Sequence, residues 1–263
     1  TDAGVEGVSQ TGDWRNIGVL LAYVEDFSIE GLRIRDSHAW AISLERCAHG
    51  TVRDLSFEST GRREIDGVEE RILNQDGLDL RLGCHDILIE NITGYTGDDL
   101  IALTAIPREG KPAGAISATM VTDTQYRGEQ DDIRHVTIRD VRGYCAGGHH
   151  IVRLLNTSGA KMHDIVLDGL TDTSPSSMRC RAALKIGDKN YGEGVAPLGD
   201  TFRLIVSNVI SRSEHTIMIG GSLCDSIISN VIRHELPGEA VTVASGPEYV
   251  SDVVMSNIHV AAE

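Results

Sequence analysis

The sequence predicts an all-β fold, a single-stranded parallel β-helix of about eight recognisable rungs, and three observations carry that reading. A four-residue pattern of aliphatic, any residue, small or polar residue, aliphatic recurs eight times along the chain. Each copy is short, rich in β-branched residues and bounded by Gly, Asn, Asp or Ser, and no stretch sustains a 3.6-residue apolar stripe over several turns. The composition agrees: 28 glycines and only 4% aromatic side chains in 263 residues give a thin aliphatic core with many turns.

In chain order the copies are Ile29-Glu30-Gly31-Leu32, Val52-Arg53-Asp54-Leu55, Ile89-Glu90-Asn91-Ile92, Ile138-Arg139-Asp140-Val141, Leu167-Asp168-Gly169-Leu170, Val206-Ser207-Asn208-Val209, Ile228-Ser229-Asn230-Val231 and Met255-Ser256-Asn257-Ile258. Their first residues lie 22 to 49 positions apart, so the unit is 22 residues and the excess is loop. Variable insertions on a constant core indicate a solenoid. Between the copies, Ile42-Ser43-Leu44, Val136-Thr137-Ile138 and Val241-Thr242-Val243 alternate apolar and polar residues, the pattern of strands with one face inward. Stacked coils place such strands about 4.8 Å apart. The small third residue of each copy suits a tight bend, and Asn91, Asn208, Asn230 and Asn257 can ladder their amides from coil to coil.

One domain spanning residues 1–263 is expected, and its first 28 residues supply little of the polar cap a solenoid needs, which fits a chain lacking N-terminal rungs. The longest apolar run, Ile17 to Val24, is too short to cross a bilayer, and Thr1-Asp2-Ala3-Gly4 opens without a signal segment. A net charge of −15 argues against nucleic acid as a partner. Cys47, Cys84, Cys145, Cys180 and Cys224 show no zinc spacing; Cys47, Cys84 and Cys224 share a register and read as an inward stack of thiols rather than as disulfides. No metal or cofactor is implied.

Two segments carry the chemistry. Asn74-Gln75-Asp76-Gly77-Leu78-Asp79 and Thr96-Gly97-Asp98-Asp99-Leu100-Ile101 set carboxylates one coil apart, with the Ile89 repeat between them. Paired carboxylates are what glycosidic hydrolysis requires, one to protonate the leaving oxygen and one to activate water or attack; they stand about 6.5–9.5 Å apart in inverting enzymes and about 5–5.5 Å apart in retaining ones. Counted from the preceding repeat, Trp40, Asp99, His149 and Glu239 fall 11, 10, 11 and 11 residues on, and should share a line up the solenoid. Asp76 and Lys185, at 24 and 18, reach that strand if loops such as 62–71 bulge out and wall a cleft.

At these residues the chain resembles the polygalacturonase family, glycoside hydrolase family 28. Asn74-Gln75-Asp76-Gly77 resembles that family's Asn-Thr-Asp-Gly, Gly97-Asp98-Asp99 its Gly/Gln-Asp-Asp, Gly148-His149-His150 its Gly-His-Gly, and Ala183-Leu184-Lys185 its Arg-Ile-Lys. The resemblance implies a right-handed parallel β-helix that hydrolyses a pectin-like or other acidic polysaccharide with inversion, most naturally in a secreted or periplasmic setting. It also implies Asp98 as general acid, Asp76 and Asp99 as the carboxylates that activate water, His149 as a supporting hydrogen-bonding residue and Lys185 as a substrate ligand.

Departures from the family pattern bear on specificity. Ala183 stands where the family has a sugar-binding arginine, and Arg153 and Arg181 are the candidates to replace it, since a guanidinium grips a carboxylate with two parallel hydrogen bonds. His150 replaces the second glycine and narrows the site. Trp40, beside His38, suits either a sugar-stacking platform or a core cap. The 50-residue interval from Asp99 to His149, with Pro107, Gly110, Pro112 and Gly114, implies a loop that closes one end of the cleft and favours exo-action. Two other classes stay open: a β-helix lyase or fructan-processing transferase, the lyase using calcium and a basic residue, and a non-catalytic carbohydrate-binding solenoid.

Overall fold

The computed structural model describes residues 17–72, 74–106, 121–122, 125–156, 159–189 and 194–261. Two parallel sheets run the length of the described chain. The first is built from short strands, β1 (Val19–Ala22), β4 (Ile42–Glu45), β8 (Leu78–Arg81), β10 (Ile101–Ala105), β12 (His150–Asn156), β14 (Ala182–Ile186), β16 (His215–Ile219) and β18 (Val241–Val243), hydrogen-bonded in that order. The second runs from β2 (Ser28–Glu30), beside which β3 (Arg33–Arg35) also pairs with β5 (Ala48–Glu58), through β9 (His85–Thr96), β11 (Ile133–Cys145), β13 (Met162–Asp172), β15 (Thr201–Ser211) and β17 (Leu223–Arg233) to β19 (Val250–Val260). The chain alternates between the sheets, so consecutive coils stack: a parallel β-helix.

The repeat fixes the register. Ile29, Val52, Ile89, Ile138, Leu167, Val206, Ile228 and Met255, the first residues of all eight copies, are successive partners across the second sheet. On the first sheet Leu44, Leu80, Leu103, Leu154, Ile186 and Ile219 form a matching column, each 0–1% exposed. Burying such a side chain contributes about 1.5–3 kcal/mol, so these columns make up the core.

The third repeat residue bends each long strand as expected. Asp54, Asn91, Asp140, Asn208, Asn230 and Asn257 hold φ between 51° and 60°, and Gly31 and Gly169 take the same place at 67° and 85°. Asn and Asp tolerate this left-handed region better than other side chains. The amide ladder is present in part: Asn230 Nδ2 donates to Asn208 Oδ1 at 3.2 Å and Asn257 Nδ2 to Asn230 Oδ1 at 2.9 Å, while Asn91 Nδ2 reaches Asp54 Oδ1 at 2.7 Å. A second bend, three residues before each copy, was not foreseen. Asp26, His49, Asp86, His135, Asp164, Arg203, Asp225 and Asp252 there hold φ between 49° and 55°.

The cysteines are free and buried. Their expected alignment needs correcting, because Cys47 and Cys84 precede the partners Ala48 and His85 by one residue, whereas Cys224, paired with Phe202, stands in the Ala48–His85 column itself. The loop expected at 62–71 is an antiparallel hairpin of β6 (Arg62–Ile65) and β7 (Val68–Arg71). The closing loop with Pro107, Gly110, Pro112 and Gly114 lies outside the described residues.

Candidate active site

The site is set by register on the short-strand sheet. Ile42, Leu78, Ile101, Val152, Leu184, Ile217 and Val241 are successive partners. Two residues before each of them stand Trp40, Asp76, Asp99, His150, Ala182, His215 and Glu239; one residue after stand Ser43, Asp79, Ala102, Arg153, Lys185, Met218 and Thr242. The expected line through Trp40, Asp99 and Glu239 is therefore present, with Asp76 in it, but His149 is not its member. His150 is, and its partner on the next coil is Ala182.

Asp76, Asp79, Asp98 and Asp99 converge on one cavity of about 60 Å³, lined also by Trp40, Asn74, Arg81, Thr104 and Arg153. Backbone hydrogen bonds lock the coils beneath it: Gly77 N donates to Asp99 O at 3.0 Å and Asp98 N to Gln75 O at 3.1 Å. Asp98 Oδ1 accepts from the Asp99 N–H at 3.0 Å, which fixes the first carboxylate against the second. Among the described residues no partner reaches Asp76 Oδ1, Asp79 Oδ2 or His150 Nε2, all buried. Polar atoms so placed suit water or a sugar hydroxyl.

The four carboxyls do not share one protonation state. Burial, then repulsion by Asp79, Asp98 and Asp99, pushes Asp76 well up. Burial also raises Asp79 to about 7, although Arg81 pulls the other way. Asp98 is raised to about 6 by burial and by the neighbouring Asp99 charge, with His149 and Arg153 opposing. Asp99 is the exception: burial alone would raise it, yet His150, Arg153 and His149 together hold it below the usual carboxylate range. Its Oδ1 accepts from His150 N at 3.1 Å and faces His150 Nδ1 at 2.9 Å, and its Oδ2 accepts from Arg153 Nη1 at 3.4 Å. Carboxyls whose surroundings push their pKa values apart can divide acid and base roles between them.

The cations expected to meet substrate are placed differently. Arg153 bridges Asp99 and Asp188, with Nη2 2.9 Å from Asp188 Oδ2, and Lys185 Nζ binds the same Asp188 oxygen. Burial lowers the Lys185 pKa against the pull of Asp188. Both are therefore engaged by the protein's own carboxylates. Trp40 is 7% exposed and carries the Arg81 guanidinium 3.7 Å above its ring, while Arg81 Nη2 binds Asp79 Oδ1 at 2.9 Å. It lines the cavity but is no open stacking platform, since a cation already covers one face. Arg181 is exposed, one residue before the column, and Ala183 is fully buried. His149 is half-buried, its N–H on Cys145 Sγ at 3.2 Å and its Nε2 3.5 Å from Arg71 Nη2.

Sequence reasoning missed roles for Asp79, Arg81, His150, Asp188 and Arg71. The alternation Leu78-Asp79-Leu80-Arg81 was the available signal for the first two, since it aims both charges away from the core. No comparable signal marks Asp188. On the second sheet, His49, His85 and Asp86 bring ligand atoms within 4.8 Å of one another, the one such group among the described residues; Asp86 there also faces His135 Nδ1 at 3.1 Å, within a ladder of imidazoles and carboxylates.

No protein-family model and no curated protein matches the sequence. Solved structures do. An endo-xylogalacturonan hydrolase from Aspergillus tubingensis superposes with a TM-score of 0.62 at 15% identity over 92% of this chain. A hyperthermoactive exopolygalacturonase from Thermotoga maritima superposes with a TM-score of 0.52 at 16% identity over 88% of it. The chain spans 61% and 53% of their respective lengths. The protein thus shares the parallel β-helix fold of these two structures.

Proposed function

We propose that the protein is a polygalacturonase-like glycoside hydrolase that cleaves a pectin-like or other acidic polysaccharide by carboxylate acid–base catalysis. One observation carries the reading: three buried carboxyls, Asp76, Asp79 and Asp99, and the half-buried Asp98, from two adjacent coils, meet at one cavity with pKa values driven apart. The fold shared with a xylogalacturonan hydrolase and an exopolygalacturonase supports it. Asp98 is the general acid. Held near pKa 6, it carries a proton at mildly acidic pH and donates it to the glycosidic oxygen as the bond to the leaving sugar breaks. Asp99 stays ionised and deprotonates the water that attacks the anomeric carbon from the opposite face, which inverts its configuration, while Asp76, kept protonated by burial and its neighbours, helps to orient that water. His149, whose charge draws the Asp98 pKa down, tunes the acid.

The test is reducing-end release from pectic, rhamnogalacturonan and algal oligosaccharides, with the product anomer followed by NMR. Asp98→Asn and Asp76→Asn should each lower kcat by about 10²–10⁴, the range typical of a general acid or base, with unchanged circular dichroism. Full activity in either variant, or a retained anomer, would overturn the assignment. Product with an unsaturated uronide chromophore would indicate a lyase instead.

A further inference from the structure

At the bend that opens the long strands, the second sheet carries histidines and carboxylates in a repeating arrangement. The bend residue takes left-handed backbone in four successive coils, with φ of 54° at His49, 54° at Asp86, 52° at His135 and 55° at Asp164. Stacking places these four in one column, and the residues just before them, Ala48, His85, Arg134 and His163, in the column beside it. A bend histidine therefore meets a His-Asp pair on the next coil, first His49 with His85-Asp86, then His135 with His163-Asp164.

The first constellation is gathered around one carboxylate oxygen. Asp86 Oδ2 lies 2.7 Å from His85 Nδ1 and 4.0 Å from His49 Nδ1, and the two rings stand edge to face with centroids 5.6 Å apart. The shorter spacing is a hydrogen bond and the longer one exceeds that reach. Two ligands of one zinc ion, each about 2.0–2.1 Å from it, are about 3.3 Å apart at the tetrahedral angle, so the two spacings bracket what a shared ion requires. The His49 side chain is 53% exposed, which leaves an entry path. Asp86 Oδ1 faces His135 Nδ1 at 3.1 Å, an outer contact of the kind that orients a ligating carboxylate.

The second constellation is closed by the protein itself. His163 Nδ1 lies 2.6 Å and His135 Nε2 3.7 Å from Asp164 Oδ2, the same pattern again. Here, however, Arg203 donates to both oxygens of Asp164, from Nε and Nη2 at 2.6 Å each, while His163 Nε2 faces Asp132 Oδ2 at 3.3 Å and its ring stacks on Phe202. A guanidinium thus serves as the built-in cation of that carboxylate. Asp86 lacks so close a fork: Arg134 Nη1 stands 3.7 Å from its Oδ2, and Arg134 also faces Glu129 at 3.9 Å.

We propose that His49, His85 and Asp86 bind a divalent transition ion of the zinc class, which clips two successive coils together on the outside of the solenoid. Two imidazole nitrogens and one carboxylate oxygen suit zinc or copper, whereas calcium and magnesium take oxygen ligands. The ion replaces the proton between His85 Nδ1 and Asp86 Oδ2, which passes to solvent, and water completes the coordination. A net charge of −15 favours a cation at the surface. None of the three residues lines the carboxylate cavity, so the site is independent of the hydrolase reading.

Calorimetric titration of zinc chloride into the full chain, stripped with chelator and free of any affinity tag, tests the site. One zinc per chain is expected, with a melting temperature raised by several degrees. His49→Asn and Asp86→Asn, which keep a residue tolerant of the left-handed bend, should each weaken zinc at least about tenfold. His163→Gln, in the second constellation, should leave zinc binding unchanged, and calcium and magnesium should not bind. In the unmutated chain, zinc should shift the imidazole NMR signals of His49 and His85 before those of other histidines, a readout that needs no variant to fold. Absence of zinc binding, undiminished binding by the His49 and Asp86 variants, earlier shifts at other histidines, or equal binding of calcium would overturn the site.

Discussion

His150 holds Asp99 through two of its own atoms, its backbone N–H and its ring Nδ1, which lie 3.1 and 2.9 Å from the same Asp99 Oδ1. The two residues sit in one column on adjoining coils, so the stacking that builds the fold also sets the charge of the site. Burial lowers the His150 pKa, which leaves a neutral imidazole that donates from Nδ1 near neutral pH. His149, the neighbour singled out in the sequence, acts on both carboxylates of the Asp98-Asp99 pair through its charge and makes no such hydrogen bond to Asp99.

His150→Ala removes the ring donor. The expected cost is about 1.5–3 kcal/mol of stability, the range for a hydrogen bond to a charged group. Asp99 is held below its ordinary pKa, so its contribution is present above the unfolded value of about 3.9 and disappears as pH falls through the folded one. The difference between wild type and variant in urea unfolding should thus be full at pH 7 and shrink below pH 4. A pH-independent difference would show that the imidazole acts by packing alone.

Arg153→Met should be more damaging, because it leaves both Asp99 and Asp188 buried beside a side chain that cannot pair with them. Removing one partner of a buried pair costs about 3–5 kcal/mol. A thermal unfolding scan should show a melting temperature lowered by several degrees, and kcat should fall with it as Asp99 takes up a proton. Unchanged stability would mean that Lys185 alone compensates Asp188.

The raised carboxyls give the opposite pH signature. Asp98 at about 6 and Asp79 at about 7 bind protons more tightly folded than unfolded, so their favourable contribution is complete below about pH 3.9 and is lost as pH rises through 6 and 7. Stability should decline from about pH 4 to pH 7 and level off above it, and Asp79→Asn should flatten that slope. Hydrolysis that depends on protonated Asp98 should fall tenfold per unit above pH 6. A rate that is level to pH 8 would exclude Asp98 as the acid.

The bends offer a test of the solenoid itself. Asn230 holds φ at 54° and links Asn208 to Asn257 through its amide. Asn230→Ala loses both the ladder and the tolerance for left-handed backbone, at about 1–2 kcal/mol, whereas Asn230→Gly keeps the backbone freedom. Chemical denaturation should therefore rank wild type above Gly and Gly above Ala. Equal stability of the two variants would assign the whole effect to the amide.

The sequence by itself determined what repeats locally. Apolar alternation, the small third residue and the 22-residue unit specify a coil wherever they occur, because period-2 side-chain placement and left-handed bends are encoded within a few residues. That is why the eight repeat copies fall in one column and why Asp76, Asp98 and Asp99 lie on adjoining coils. The register of the insertions was left to the tertiary structure. One residue of loop decides whether His149 or His150 enters the Asp99 column, and no local signal counts loops to that accuracy. Charge partners are likewise set by coils distant in sequence. Asp188 engages two of the three cations expected to meet substrate, Arg81 covers Trp40, and Arg71 reaches the site from a hairpin that follows the preceding coil. Turns arise from local sterics, whereas which charges pair across the cavity follows from how the coils stack.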